Sequence, residues 1–531
     1  MTLRRRLLAA VAALGLVATA CSQAVSGNPQ AATGTAPNSS AGASPPAAPS
    51  TAPTPAAPQP APIQFRDCTT SLIKAGVPVP ATLKGKVEFG CGQLSVPLDY
   101  AHPSGGRITV FVVRIHDTDN TNPIGSLLTN PGGPGVSGYL FALGLLSEIP
   151  QSVIKKFDLI GFDPRGVGLS NQIACTTDKQ KDVLYNQAPD ATTSAGFSEA
   201  QAEAKRFANA CLTKYGTSLR YYNTENTARD MDQIRRALGE DQMNYLGFSY
   251  GTELGWVYAH LFPSTTRAIV LDGAVDPDVT SVAFSGIQVQ GFEKAFDQFA
   301  AYCKTATPCK QLSDPREAVE QITARARANP IATKSNRKLT ENLAYTGVLQ
   351  ALYSKSSWPR LATGLITATN GDGTGLLALA DEYNQRFANG RYANWQDPNT
   401  VINCNDSAPG PSDATIRSTA AQWAVKYPLF GRWSASELFT CQSWQPHRTI
   451  TPRPNAPTAE KVLVVGNLHD PATPYRGAVD LTRDLGNAEL LTWNGEGHTS
   501  YLGGSTCVNN YVNRYLLSLK VPPDDTVCPA R

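Results

Sequence analysis

Excess charge of either sign is missing from this 531-residue chain. Its 46 Lys and Arg nearly balance 43 Asp and Glu, for a formal net charge of +3. That is too weak for a nucleic-acid partner, and no basic helix or basic–aromatic interleaving makes up for it. Cys-x-x-Cys and His-x-x-x-His spacings are absent too, so a zinc site is not expected. No internal repeat is evident. The apolar run from Leu7 to Ala20 is too short to span a bilayer.

That run has the features of a processing signal. Arg4, Arg5 and Arg6 precede it, and Ala18-Thr19-Ala20-Cys21 ends it with small residues and a cysteine. The pattern resembles a bacterial lipobox. It implies a signal peptide over 1–20 and lipidation of Cys21, the alternative being an ordinary cleaved signal. Either way the expected location is extracytoplasmic, with a lipid anchor on the outer face of the cell membrane or release from it.

The cysteine count agrees. Of 11 Cys, assigning Cys21 to lipid leaves an even set: Cys68, Cys91, Cys175, Cys211, Cys303, Cys309, Cys404, Cys441, Cys507 and Cys528. An oxidising compartment favours pairing them, with sequence neighbours as the simplest arrangement.

Residues 21–62 are mostly Ala, Pro, Ser, Thr and Gly, too poor in large apolar residues to form a core, and are expected to be a disordered spacer. Beyond it, Arg107–Ile115, Gly125–Thr129, Phe157–Phe162, Met243–Phe248 and Ala268–Leu271 read as short buried strands. Helical stretches separate them, including Thr227–Leu238, with Thr227 as its cap, and Tyr250–Leu261. This alternation predicts an α/β fold with a mostly parallel central sheet and helices on both faces. The alternation stops after Asp276. Residues 277–455 read as a large helical cap, carrying Trp358, Trp395, Trp423, Trp433 and Trp444. Strands return at Lys461–Val465 and Glu489–Trp493, and Tyr511–Leu519 reads as the last helix. The expected division is thus 63–276 and 456–531 for the core and 277–455 for the cap.

Gly247-Phe248-Ser249-Tyr250-Gly251 lies between a strand and a helix. A serine flanked by glycines in that setting predicts a nucleophile elbow. Its hydroxyl needs a base, and in this architecture the base follows the last strand. His102 and His116 come too early, His260 sits on the helix after the elbow, and His447 ends the cap. His498 is in the right place. The carboxylate that orients it should follow the preceding strand. Asp470 does, whereas Asp480 and Asp484 fall on the next helix. His469 reads as a neighbour of the acid. Oxyanion donors are expected from the backbone N–H of Tyr250 and from the loop Asn130-Pro131-Gly132-Gly133-Pro134-Gly135, with Gly133 favoured and Gly132 the alternative. Asp163 and Arg165 read as braces for the site loops.

Five stretches carry a family resemblance: Asn130–Gly135, Asp163–Ser170, Gly247–Thr252, Val270–Gly273 and Asp470–Pro474. With them the chain resembles an α/β-hydrolase of the prolyl aminopeptidase group, and most of all its exported tripeptidyl aminopeptidase branch. Many relatives have His-Gly-Gly-Pro-Gly where this chain has Pro131 in the histidine's place, which points to the tripeptidyl branch. The resemblance implies an α/β-hydrolase fold, a Ser249–His498–Asp470 triad, peptide substrates and no metal or cofactor. An aminopeptidase must also hold a free α-ammonium, which needs a carboxylate near the cap. Asp406 is the first candidate and Glu225 the second. An exported esterase or lipase acting on acyl esters with the same triad is the rival. A binding protein on a hydrolase fold would tolerate loss of the triad, yet every expected member is present.

Overall fold

The computed structural model describes residues 59–530 apart from 278, 446–453 and 458. Cys21, the signal segment and most of the spacer lie outside the described residues, as does His447.

A ten-stranded sheet runs through the molecule. In chain order its first seven strands are β1 (Arg66–Asp67), β2 (Val87–Pro97), β3 (Arg107–Asp117), β4 (Gly125–Asn130), β5 (Phe157–Phe162), β6 (Met243–Phe248) and β7 (Thr266–Asp272). A separate hairpin in the cap supplies β8 (Ile331–Ala332) and β9 (Lys338–Leu339). Then come β10 (Val462–His469), β11 (Ala488–Glu496) and β12 (Val527–Cys528). The spatial order is β1-β2-β3-β5-β4-β6-β7-β10-β11-β12. Pairing is antiparallel from β1 to β5 and parallel from β5 onward. The exchange of β4 and β5 in that order is the crossover of an α/β-hydrolase sheet. All six residues of β6 are buried, as a parallel strand covered on both faces requires. Strand β2 was not read from the sequence, because two glycines and a proline obscure its alternation.

The helix that precedes β6 departs from the sequence reading at its start. It runs Thr224–Ala237 and is capped by Asn223, whose side chain accepts from Asn226 N. Thr227 lies inside the helix and bonds back to Asn223 O at 2.9 Å. Asparagine is as good a cap as threonine, and the helix gains a turn by using it.

Between β7 and β10 the chain is helical, from Ser281–Cys303 to the 3₁₀ segment Ala435–Phe439. These helices share a core of their own, in which Trp358 and Trp423 are buried. A second stretch joins them: Phe197, on the helix Ser194–Tyr215, packs edge-on against Phe439 at 4.7 Å. The layer over the site is therefore built from two separate parts of the chain. Sequence periodicity gives helices but not the layer each one joins.

All ten described cysteines pair with their sequence neighbours: Cys68–Cys91, Cys175–Cys211, Cys303–Cys309, Cys404–Cys441 and Cys507–Cys528.

Candidate active site

Strands β4, β6, β7, β10 and β11 all end toward one edge of the sheet, and the candidate residues follow those ends. This is where open α/β sheets place their ligands. Ser249 comes directly after β6 with φ +56°, a left-handed backbone rarely adopted by non-glycine residues. The flanking glycines have a steric cause. A Cβ on Gly247 would lie 2.3 Å from Gly251 O, and one on Gly251 would lie 2.8 Å from Asn130 O. The turn is closed by Thr252, whose N–H and hydroxyl both donate to Ser249 O, at 2.8 and 2.7 Å.

Ser249 N donates to Asp272 O at 2.9 Å. The next residue, Gly273, faces the imidazole: a Cβ there would lie 3.4 Å from His498 Cε1. Ser249 and His498 thus flank the same dipeptide at the end of β7. His498 Nδ1 lies 2.9 Å from Asp470 Oδ1 and 3.0 Å from Oδ2. Asp470 is itself fixed by backbone donors. Ala472 N and Thr473 N donate to Oδ1 at 2.9 and 2.8 Å, and Thr499 N donates to Oδ2 at 2.9 Å. Burial pulls the imidazole's pKa down, but the Asp470 carboxylate outweighs it and holds His498 above its ordinary value. The site thus stabilises the protonated imidazole of His498.

Gly132 and Gly133 are distinguished by their amides. Gly132 N donates to Asn130 Oδ1 at 2.8 Å, so that N–H is engaged. Gly133 N and Tyr250 N donate to no acceptor among the described residues. A Cβ on Gly132 would fall 2.8 Å from Ser249 Cβ and 3.0 Å from Tyr250 N, so this loop lies directly against the elbow. Two unpaired amides beside a serine on a strained turn form a pocket for developing negative charge on an oxygen.

Asp163 and Arg165 brace the loops. Asp163 accepts from the Ser137 hydroxyl at 2.6 Å and from Leu169 N at 2.8 Å. Arg165 is fully buried, forks onto Asp230, and donates to the carbonyls of Pro97, Leu98 and Tyr221. Two other histidines serve elsewhere. His469 Nδ1 faces Gly495 O and Glu496, and His260 Nδ1 faces Asn455 O.

The two carboxylates expected to read an ammonium group are engaged. Glu225 pairs with Arg229 one helical turn on, at 2.8 Å. Asp406 accepts from Thr224 N at 3.2 and 3.1 Å and from the Thr224 hydroxyl, so it helps cap the helix Thr224–Ala237. Three residues of the site were not found from sequence. Thr473 Oγ1 lies 3.3 Å from His498 Nδ1, a contact that the spacing Asp470-x-x-Thr473 could have suggested. Asp272 accepts Ser500 N and Tyr501 N, which anchors the chain just after His498. Tyr353 comes from the cap. Its carbonyl accepts His498 N at 2.8 Å and its ring meets the imidazole edge-on at 5.4 Å. No sequence signal marks it.

Comparison with known proteins agrees with this geometry. The family model described as TAP-like protein matches residues 427–528, a stretch that carries both Asp470 and His498. Over 483 residues the chain is 37% identical to the serine protease Hip1 of Mycobacterium tuberculosis, covering 88% of this chain and 91% of that protein. The chain belongs to the TAP-like family of α/β-hydrolases. This TAP-like chain is a serine hydrolase. It is also 38% identical over 451 residues to carboxylesterase B of Mycobacterium tuberculosis, covering 82% of this chain and 86% of that protein. A tripeptidyl aminopeptidase of Streptomyces lividans is 32% identical over 449 residues, covering 82% and 83%.

Proposed function

We propose that this TAP-like hydrolase is an exported aminopeptidase that releases short peptides, tripeptides foremost, from free N-termini. The observation that carries the reading is His498 Nδ1 held on Asp470 at 2.9 Å, beside a serine on a strained turn. Ser249 attacks the scissile carbonyl while His498 takes its proton. The amides of Tyr250 and Gly133 hold the oxyanion. His498 then protonates the leaving amine, and water, activated by the same imidazole, releases the acyl group. An amine is a poor leaving group unless protonated, so a stabilised imidazolium suits amide cleavage. In this reading residues 63–276 and 456–531 carry the chemistry, and 277–455 governs access to it.

An acyl ester is the second reading, favoured by the likeness to carboxylesterase B. The test compares a tripeptide anilide with a free amine, its N-acetylated form and a short acyl ester, with Ser249→Ala as the blank. Cleavage concentrated on the free-amine anilide supports the aminopeptidase. Preference for the ester selects the rival, and full turnover by Ser249→Ala removes the mechanism.

Export and anchoring through a lipid on Cys21 belong to the same proposal, supported by Arg4–Arg6, the apolar run and Ala18-Thr19-Ala20-Cys21. Detergent-phase partition of the full chain that Cys21→Ala abolishes is the expected result. Partition unchanged in the variant removes the anchor.

A further inference from the structure

We propose that Asn399 is a positioning residue for the oxyanion loop, an assignment that rests on the reading of the Gly133 N–H as an oxyanion donor. The loop Asn130–Gly135 has little conformational preference of its own. Gly132, Gly133 and Gly135 have φ of +94°, +111° and +94°, a region that glycine enters freely but loses much entropy by staying in. An amide stabilises a transition state only if it is already aimed, so such a loop has to be held from outside.

Two hydrogen bonds bracket Gly133. On one side Gly132 N donates to Asn130 Oδ1 at 2.8 Å, within the loop. On the other, Asn399 Nδ2 donates to Pro134 O at 2.9 Å, from 265 residues away. Pro134 has no N–H, so its carbonyl is the main-chain group by which it can be held. The Asn399 amide is itself oriented. Its Oδ1 accepts from Asn403 Nδ2 at 3.1 Å, one helical turn on, which leaves the NH₂ for Pro134. The backbone comes just as close. A Cβ on Gly135 would lie 2.3 Å from Trp395 O and 2.9 Å from Asn399 N, so the start of the helix Gln396–Asp406 rests directly on the loop.

That helix is a firm support. Asp397 is buried and accepts from Cys175 N at 2.7 Å, Thr176 N at 3.0 Å and Lys181 Nζ at 3.2 Å. Asn405, also buried, donates to the carbonyls of Leu219 and Tyr222 and accepts from Trp444 Nε1. Asp406 accepts from Thr224, whose hydroxyl meets that of Tyr250. One helix therefore reaches both halves of the oxyanion pocket: Gly133 through Asn399, and Tyr250 through Asp406 and Thr224. Removing the Asn399 NH₂ frees one end of the loop and leaves Ser249, His498 and Asp470 untouched.

The test uses p-nitrophenyl butyrate, because ester and amide cleavage share the oxyanion step. It compares the full chain with Asn399→Ala and with Asn399→Asp, which keeps the shape but turns a carboxylate toward a carbonyl. Two inhibitors separate the states. In 1,1,1-trifluoropentan-2-one the carbonyl carbon bonds to the Ser249 oxygen, the C=O electron pair moves onto its oxygen, and His498 keeps the serine proton. The alcohol 1,1,1-trifluoropentan-2-ol has no carbonyl to add to. In both variants kcat should fall about 10- to 50-fold, below the 10²–10³ for outright loss of an oxyanion donor. KM should stay within about twofold, the ketone Ki should rise as kcat falls, and the alcohol Ki should hold. Unchanged kcat in either variant overturns the assignment. Equal weakening of ketone and alcohol, or failure of both variants to fold, makes Asn399 a structural residue and overturns it too. An unsubstituted chain that binds the ketone no better than the alcohol refutes the oxyanion reading itself. A ketone preference that Asn399→Ala leaves intact refutes only the role of Asn399.

Discussion

The Thr224 hydroxyl oxygen lies 2.6 Å from the Tyr250 hydroxyl oxygen. Thr224 has one hydroxyl proton, and it goes to Asp406, so the Tyr250 phenol donates to Thr224. Tyr250, whose backbone amide is proposed to hold the oxyanion, is thereby fixed through its side chain to a helix start and to the cap.

Thr224→Val keeps the shape of that link and removes its polarity. It leaves the buried Tyr250 hydroxyl without an acceptor, at a cost of about 1–3 kcal/mol. The expected outcome is a several-fold fall in kcat with KM little changed, since the amide of Tyr250 acts on the transition state. Thr224→Ser should recover most of the loss. If Thr224→Val falls mainly in KM, or if serine fails to rescue, the link does not serve the oxyanion pocket.

Asp470→Asn should lower kcat by roughly 10⁴-fold, the effect of the same change in another serine hydrolase triad. Here the backbone adds a second reason. Both carboxylate oxygens accept amide donors, so an asparagine NH₂ must face an N–H wherever it is placed. Reduced thermal stability should therefore accompany the lost rate. A variant with near-normal kcat means that Asp470 does not orient His498.

Much of this site was legible in the sequence, because its chemistry is tied to strand ends. Ser249, Asp470 and His498 each follow a short apolar run, and glycines mark where backbone must pass closely. No spacing in the sequence marks which carboxylate meets the substrate. Asp406 and Glu225 have the right charge, and the fold sets them against Thr224 and Arg229. Tyr353 was not legible either: its backbone carbonyl reaches His498 N, and any residue type could supply that atom. Disulfide pairing was readable because every bridge joins sequence neighbours.

The pH dependence of kcat/KM should report His498. Burial lowers its pKa, but Asp470 and, more weakly, Asp272 hold it above the ordinary 6.5. The imidazole must be neutral to accept the serine proton, so kcat/KM should rise with pH and level off only above that value. In stability the sign is opposite. A histidine with a raised folded pKa adds stability that is complete below its unfolded pKa and is lost as pH rises through the folded one. Burial pushes Asp272 up to about 7, partly offset by the amides of Ser500 and Tyr501. Asp272→Asn removes a negative charge and should shift the rate profile to lower pH. A profile that Asp272→Asn leaves in place, or one that levels off below 6.5, contradicts the electrostatics described.

The bridge Cys404–Cys441 joins the helix that carries Asp406 to the chain just beyond the cap segment Ala435–Phe439. Its ends are separated by 37 residues, and those of Cys303–Cys309 by 6. On the chain-entropy estimate, closing these loops is worth about 4 and about 2 kcal/mol respectively. The double serine variant at 404 and 441 should therefore melt lower than the one at 303 and 309. Activity should separate them further. Loss of the longer bridge frees both the support behind Tyr250 and the cap segment Ala435–Phe439, whereas Cys303–Cys309 closes the end of the helix Ser281–Cys303. The 404/441 variant is expected to lose rate on the free-amine anilide at temperatures where it remains folded, and the 303/309 variant to keep it. Equal losses at equal distance below each melting point would show that the bridges act on global stability alone.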